Sequence, residues 1–248
     1  MRKGIVNKCR KLKLAYNDDL LGDTTMPEDT NPFSENSTLE EKLLYFSLPM
    51  SLNYQRDSYK LWEAALDTWK DKDTRSVFKL ENMKGLKEED IREKLLKYKL
   101  ALQPNKHIDT WRRISITVYD NWGSFKNLLT SIDYDFLKLK KVIQKDYKKG
   151  FPYLSGPKIF NYWSHIIQEY CDIELKNSEY IEIAPDTHII QASVKLGIIS
   201  KKEAENISRE KLSFLWREIL KGSGIDPIEM HSPLWFWSRN GNGFEYKV

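Results

Sequence analysis

Cysteine is scarce in this sequence: Cys9 and Cys171 are the only two. Two thiols are too few for a disulfide framework and suit a reducing compartment. They also exclude a four-cysteine zinc or iron–sulfur centre within the chain. Glycine and proline are sparse, 11 and 9 among 248 residues, while hydrophobic residues reach 40% and charged residues 31%. That balance excludes a low-complexity chain and favours a soluble, helix-rich globular one. No apolar run approaches the roughly 20 residues of a membrane span. The N-terminal MRKGIVNKCRKLKLAYN has no apolar core segment and does not read as a secretory signal. Alternating polar and apolar runs, the mark of strands, are nearly missing as well.

What is present is clustered positive charge. The net charge is only +4, yet Arg2, Lys3, Lys8, Arg10, Lys11 and Lys13 fall in the first 14 residues without an acid among them. A second group, Lys138, Lys140, Lys141, Lys145, Lys148 and Lys149, is opposed only by Asp146. Clustered lysines beside a glycine turn suit phosphate contacts, and a solvated helix face is an equally good reading of either group alone.

Helical spacing accounts for most of the rest. Residues 15–38 are polar, rich in turn formers and without periodicity. Residues 1–36 are therefore expected to form a basic, polar arm that is flexible, ahead of a folded unit spanning 37–248. Ser37/Glu40 and Thr38/Glu41 both have capping-box spacing before Leu43, Leu44 and Phe46. Trp62, Ala65, Leu66 and Trp69 share a helix face, as do Ile91, Leu95, Tyr98 and Leu102. Trp111, Ile114, Val118 and Trp122 form another that stops at Gly123. Helices are also expected from Ser124, over Ile159–Ile167, over 184–198, after a Ser200/Glu203 box, and over Leu212–Leu220. Serial short amphipathic helices make an all-α protein, with no repeat of fixed period.

Two helix starts carry candidate chemistry. In FPYLSGPKIFNYWSHII, residues 151–167, Leu154, Gly156, Pro157 and Lys158 form a tight turn opening a helix. Such a turn can present backbone N–H groups and a helix N-terminus to a phosphate, with Ser155, Gly156, Lys148 and Lys149 as the candidates for contact with a DNA backbone. The positive helix end disfavours an ammonium on Lys158, which is how a lysine becomes a nucleophile. In APDTHIIQASVKLGI, residues 184–198, Asp186 occupies the N-cap position and Gly197 the stop. Read singly, Lys158 is an exposed lysine and Asp186 a cap.

Read together, Gly-x-Lys opening one helix and Pro-Asp-x-His opening the next resemble the helix-hairpin-helix DNA glycosylase superfamily. The resemblance covers residues 39 to 240 or so. It implies a two-lobed all-α fold with a helix-hairpin-helix motif near 151–167 and a DNA cleft between the lobes. It implies Lys158 and Asp186 as the catalytic pair. SLNYQRD, residues 51–57, is similar to the family's early helix pair, where a polar residue fills the gap left by the extruded base. Asn53 and Gln55 are the candidates, at least one of them an ordinary turn residue on the bland reading. Lys158 and Asp186 stand further apart than in most of the superfamily, and YLSGPK lacks the usual Gly-x-Gly. Both features are similar to the archaeal 8-oxoguanine glycosylase branch. There GSGIDPIEMHSPLWFWSRNG would place Trp235 on the lesion base, although a core tryptophan beside Trp237 reads as well. His231 stands where that branch commonly has an aspartate.

The resemblance thus implies a bifunctional glycosylase and abasic-site lyase. It would act on double-stranded DNA containing an oxidised purine, 8-oxoguanine first. Two alternatives stay open: the same chemistry on another lesion, or a helical DNA-binding module without catalysis. No metal site, cofactor or membrane contact is expected. His107 and His165 lack partners at ligand spacing, and His188 is assigned no chemistry. A monomer in the cytoplasm, nucleoid-associated if the source is prokaryotic, completes the expectation.

Overall fold

Short polar side chains start most of the helices by taking up backbone N–H groups that the first turn leaves unpaired. In the computed structural model, which describes residues 2–34, 37–54, 56–241 and 243, the chain is all-α. Among the described residues there is no strand, only one isolated bridge between Asp135 and Lys176. The helices are, in order, α1 (Arg2–Asn17), α2 (Leu39–Leu52), α3 (Ser58–Lys70), α4 (Leu80–Gly85), α5 (Glu88–Lys97) and α6 (Pro104–Trp122). There follow α7 (Phe125–Ser131), α8 (Phe136–Lys141), α9 (Pro157–Cys171), α10 (Thr187–Lys195), α11 (Lys201–Ala204), α12 (Arg209–Leu220) and α13 (His231–Arg239). No helix among the described residues is long and apolar enough to cross a membrane.

The contacts divide the chain into two compact units, one of residues 1–25 and 179–248, the other of residues 26–178. In the second unit α2 is the centre. Every residue from Leu43 to Leu52 is buried, and α3, α6, α7 and α9 pack around it. Pro49 sits within this helix and removes one backbone donor. Two buried indoles of this core are paired: the Trp163 indole donates to Ser47 Oγ at 2.9 Å, and the Trp111 indole to Val77 O at 2.7 Å. Of the two capping boxes readable before α2, the one that forms is Thr38 with Glu41. Glu40 instead accepts from the backbone N–H groups of Phe125 and Lys126, at 3.0 and 2.7 Å, at the start of α7. Helix α5 ends at Lys97, short of the expected Leu102, because Lys99 turns into the left-handed region at φ 61°.

The first unit corrects the expected flexible arm. Residues 2–17, placed by composition in a basic arm, form α1 and pack on α12 and α13. Ile5, Val6, Cys9, Leu12 and Ala15 face inward. Arg2 donates to Ile219 O at 3.0 Å, Arg10 to Ser223 O at 2.9 Å, and Lys13 pairs with Glu229 at 2.6 Å. Charge that read as part of a basic arm therefore in part binds the last carbonyls of α12 and the turn after it.

Residues 26–34, also expected to be loose, are fastened to α9 within the second unit. Glu28 is 2% exposed and accepts from the Tyr162 hydroxyl. Asp29 accepts from the Tyr170 hydroxyl at 2.7 Å, and Thr30 O accepts from Tyr45 at 3.1 Å. Burial pushes the Glu28 carboxyl up to about 7, against the lowering effect of the Tyr162 hydrogen bond. The folded chain therefore holds this proton more tightly than the unfolded chain. The stability it contributes is complete below the ordinary glutamate range and is lost as pH rises through about 7. Wild type should lose on the order of 3 kcal/mol between pH 5 and pH 8 from this group, read by urea unfolding. Glu28→Gln should abolish that part of the slope; an unchanged slope would show that Glu28 is not the group responsible.

Candidate functional site

Lys158 is positioned by a tightly bonded connection in the second unit. After α8 the chain passes through a π-helical turn, Val142–Asp146, and a 3-10 turn, Lys148–Gly150. Gly150 lies so close to α6 that a Cβ there would come within 2.5 Å of Thr117 Oγ1. In residues 151–156 the Ser155 N–H donates to Phe151 O at 2.9 Å and the Gly156 N–H to Tyr153 O at 2.8 Å. Tyr153 takes the left-handed conformation at φ 57°, and Gln144 clamps the turn by donating to Ser155 O at 3.1 Å.

This corrects one expectation: the N–H groups of Ser155 and Gly156 are consumed inside the turn and do not point outward as a phosphate cradle. Gly156 is the N-cap of α9 and Pro157 its first residue, with no side chain capping the helix. At a helix start of this kind the helix dipole favours an anion. The Lys158 side chain is exposed. Lys138, Lys145, Lys148 and Lys149 are exposed on the segment leading to it, while Lys141 is paired with Asp146 at 2.6 Å.

The loop after α2 leans on the same turn. Tyr54, 45% exposed, stacks on Tyr153 with ring centres 5.3 Å apart. Asn53 is the C-cap of α2 and half-buried, so it stands beside an aromatic contact that sequence reading passed over. Gln55 lies outside the described residues. Arg56 anchors the loop by donating to Leu100 O and Lys99 O, at 2.6 and 3.1 Å. His107 accepts from the Leu102 N–H at 3.1 Å; burial first, then the Arg56 charge, push its pKa down to about 4. It is a neutral acceptor in the core.

Asp186 belongs to the first unit and uses both oxygens. Oδ1 accepts from the Ile189 N–H at 3.0 Å, which is the N-cap bond. Oδ2 accepts from the Trp235 indole Nε1–H, also at 3.0 Å. Trp235 is half-buried on α13, edge-to-face with His188 at 5.2 Å and with Phe236 at 5.0 Å. The Arg239 guanidinium lies 5.0 Å from its ring centre. His188 Nδ1 is 3.4 Å from Ser238 Oγ, and Ser238 in turn donates to Gln191 at 3.0 Å.

The indole N–H of Trp235 is thus engaged by Asp186, and the Arg239 guanidinium lies over its ring. His231 is 5% exposed at the start of α13, inside the packing of the unit. The missed signal for Trp235 is its N–H, a donor that needs a partner when half-buried. Among the described residues no group of three or more His, Cys, Asp or Glu side chains is gathered to hold a metal ion. Comparison of the chain with protein-family models, with curated proteins and with solved structures returned no match.

Because Asp186 caps α10 through a single oxygen, an amide replaces it well in that task. Asp186→Asn keeps the cap oxygen but turns an amide N–H toward the Trp235 indole N–H, so it should lose on the order of 1 kcal/mol, and Asp186→Ala, which loses the cap bond as well, about 1 kcal/mol more. Equal losses in thermal unfolding would mean that the cap bond contributes nothing.

Proposed function

We propose that the protein is a DNA glycosylase with abasic-site lyase activity, removing an oxidised purine, 8-oxoguanine first, through an imine on Lys158. The observation that carries the reading is the placement of Lys158. An exposed lysine stands at the start of α9, which no side chain caps, directly after a turn locked by its own hydrogen bonds and preceded by exposed Lys138, Lys145, Lys148 and Lys149. The motif resemblance of Gly156-x-Lys158 and Pro185-Asp186-x-His188 supports the same conclusion.

The target nucleoside is taken out of the duplex, since its C1′ is shielded within the stack. The Lys158 amine attacks C1′; the N-glycosidic bond breaks and its electron pair leaves with the base. Loss of a proton from the nitrogen and opening of the sugar ring give the imine. Removal of a C2′ proton then expels the 3′ phosphate by β-elimination and nicks the strand. Asp186 accepts the lysine proton or stabilises the positive charge growing on the sugar. Lys138, Lys145, Lys148 and Lys149 neutralise phosphates along the backbone. Asn53, with Tyr54 beside it, enters the space that the extruded base leaves.

A second reading, a helical DNA-binding module without catalysis, draws on the two hydrogen bonds that Asp186 already makes within its own unit. Borohydride trapping separates the two. With a panel of single-lesion duplexes, wild type should form a covalent adduct on at least the 8-oxoguanine substrate. Lys158→Gln should form none while binding the same duplex within a few-fold. Wild-type trapping by that variant would remove Lys158 from the mechanism, and no adduct from wild type on any lesion would leave the binding module.

Salt offers an independent check on the lysines. The logarithm of affinity should fall linearly with the logarithm of salt concentration, with a slope of about −0.9 per phosphate neutralised. Replacing Lys148 and Lys149 together by Gln should flatten that slope by nearly two such steps. An unchanged slope would take these lysines off the DNA.

A further inference from the structure

We infer that Trp235 is a positioning residue, whose indole N–H holds the Asp186 carboxylate in its working orientation. This deepens the glycosylase reading and rests on it. A carboxylate held on an N-cap through one oxygen can still rock about that single bond, because its last torsion is broad. Here the cap bond to the Ile189 N–H fixes Oδ1 and the Trp235 indole fixes Oδ2, each at 3.0 Å. The two donors come from different helices, α10 and α13, which pack on one another.

Trp235 is itself held. Phe236 and His188 meet it edge to face, the Arg239 guanidinium lies at its ring, and His188 is within 3.4 Å of Ser238 on the same helix as Trp235. Both donors to Asp186 are neutral, so they orient the carboxylate without cancelling its charge. A carboxylate that must stabilise positive charge on a sugar benefits from this arrangement. Its orientation is set beforehand, and its charge is not spent on a cation. A tryptophan kept for lesion stacking would need a clear face and no particular partner for its N–H.

The test separates rate from binding. Trp235→Phe keeps an aromatic ring against His188 and Phe236 but removes the donor. On the lesion that wild type processes best, it should lower the single-turnover excision rate by roughly tenfold to a hundredfold, the scale of a misplaced group. Kd for the lesion duplex should stay within twofold. Trp235 replaced by benzothienylalanine keeps the bicyclic shape without the N–H and should show the same loss, even if the Phe variant folds poorly. Asp186→Asn should lose roughly a hundredfold alone, and adding Trp235→Phe to it should cost nothing further. In spectra of ¹⁵N-labelled protein, the indole resonance that Trp235→Phe deletes should shift in Asp186→Asn.

A wild-type rate in both Trp235 variants, or additive losses in the double variant, would overturn the positioning role while leaving the glycosylase reading standing. An active wild type in which only Trp235→Ala is impaired, through Kd, would restore the stacking role. A wild type that excises no base overturns the glycosylase reading and the catalytic purpose of the bond with it, even if the indole resonance shifts as expected.

Discussion

Asp186 accepts two hydrogen bonds, and the residues around it are arranged by what those bonds require. The first starts α10, by pairing an N–H that the helix cannot satisfy internally. The second reaches across to α13 and fixes the side of that helix that carries Trp235, Ser238 and Arg239. On the same helix α13, and on α12, α1 packs its apolar face, with Arg2 reaching the end of α12 and Arg10 the turn after it. One carboxylate therefore joins local helix initiation to packing, and packing to the orientation of a charge. The same residue makes a sound cap and, on the proposed reading, a catalyst, and the two tasks do not compete because they use different oxygens.

The second unit meets a different demand. A lysine at a helix start has a long, mobile side chain, so its placement depends on how firmly the preceding backbone is held. Here α2 and α9 pack in a fully buried centre, and residues 151–156 close on their own carbonyls and on Gln144. Fastening of residues 26–34 to α9 through Tyr162 and Tyr170 adds to the rigidity of the helix that Lys158 begins.

Helix punctuation was legible in the sequence because caps act within one turn. Asp186, Ser200 with Glu203, Ser124, Gly123 and Gly197 all stand where their residue types place them. Contacts set by tertiary neighbours were not legible. Nothing local in Glu40 says that its carboxylate bonds to the start of α7, or that Thr38 forms the box instead. The basic N-terminus read as an arm because its charge is conspicuous. Its inward residues, Ile5, Val6, Cys9, Leu12 and Ala15, have helical spacing that a reading weighted toward charge passes over. For the candidate site, the helix starts carrying Lys158 and Asp186 were readable from sequence, while the Trp235 bond, the Tyr54–Tyr153 stack and the internal use of the Ser155 and Gly156 amides depend on residues brought together only by folding.

On the proposed reading, one particular amine becomes covalently attached to the sugar. Reducing the trapped protein–DNA adduct, digesting it, and locating the modified residue by mass spectrometry identifies that amine. The sugar remnant is expected on Lys158, the second residue of α9. A remnant on any other lysine or on the N-terminal amine, with Lys158 unmodified, would contradict that reading.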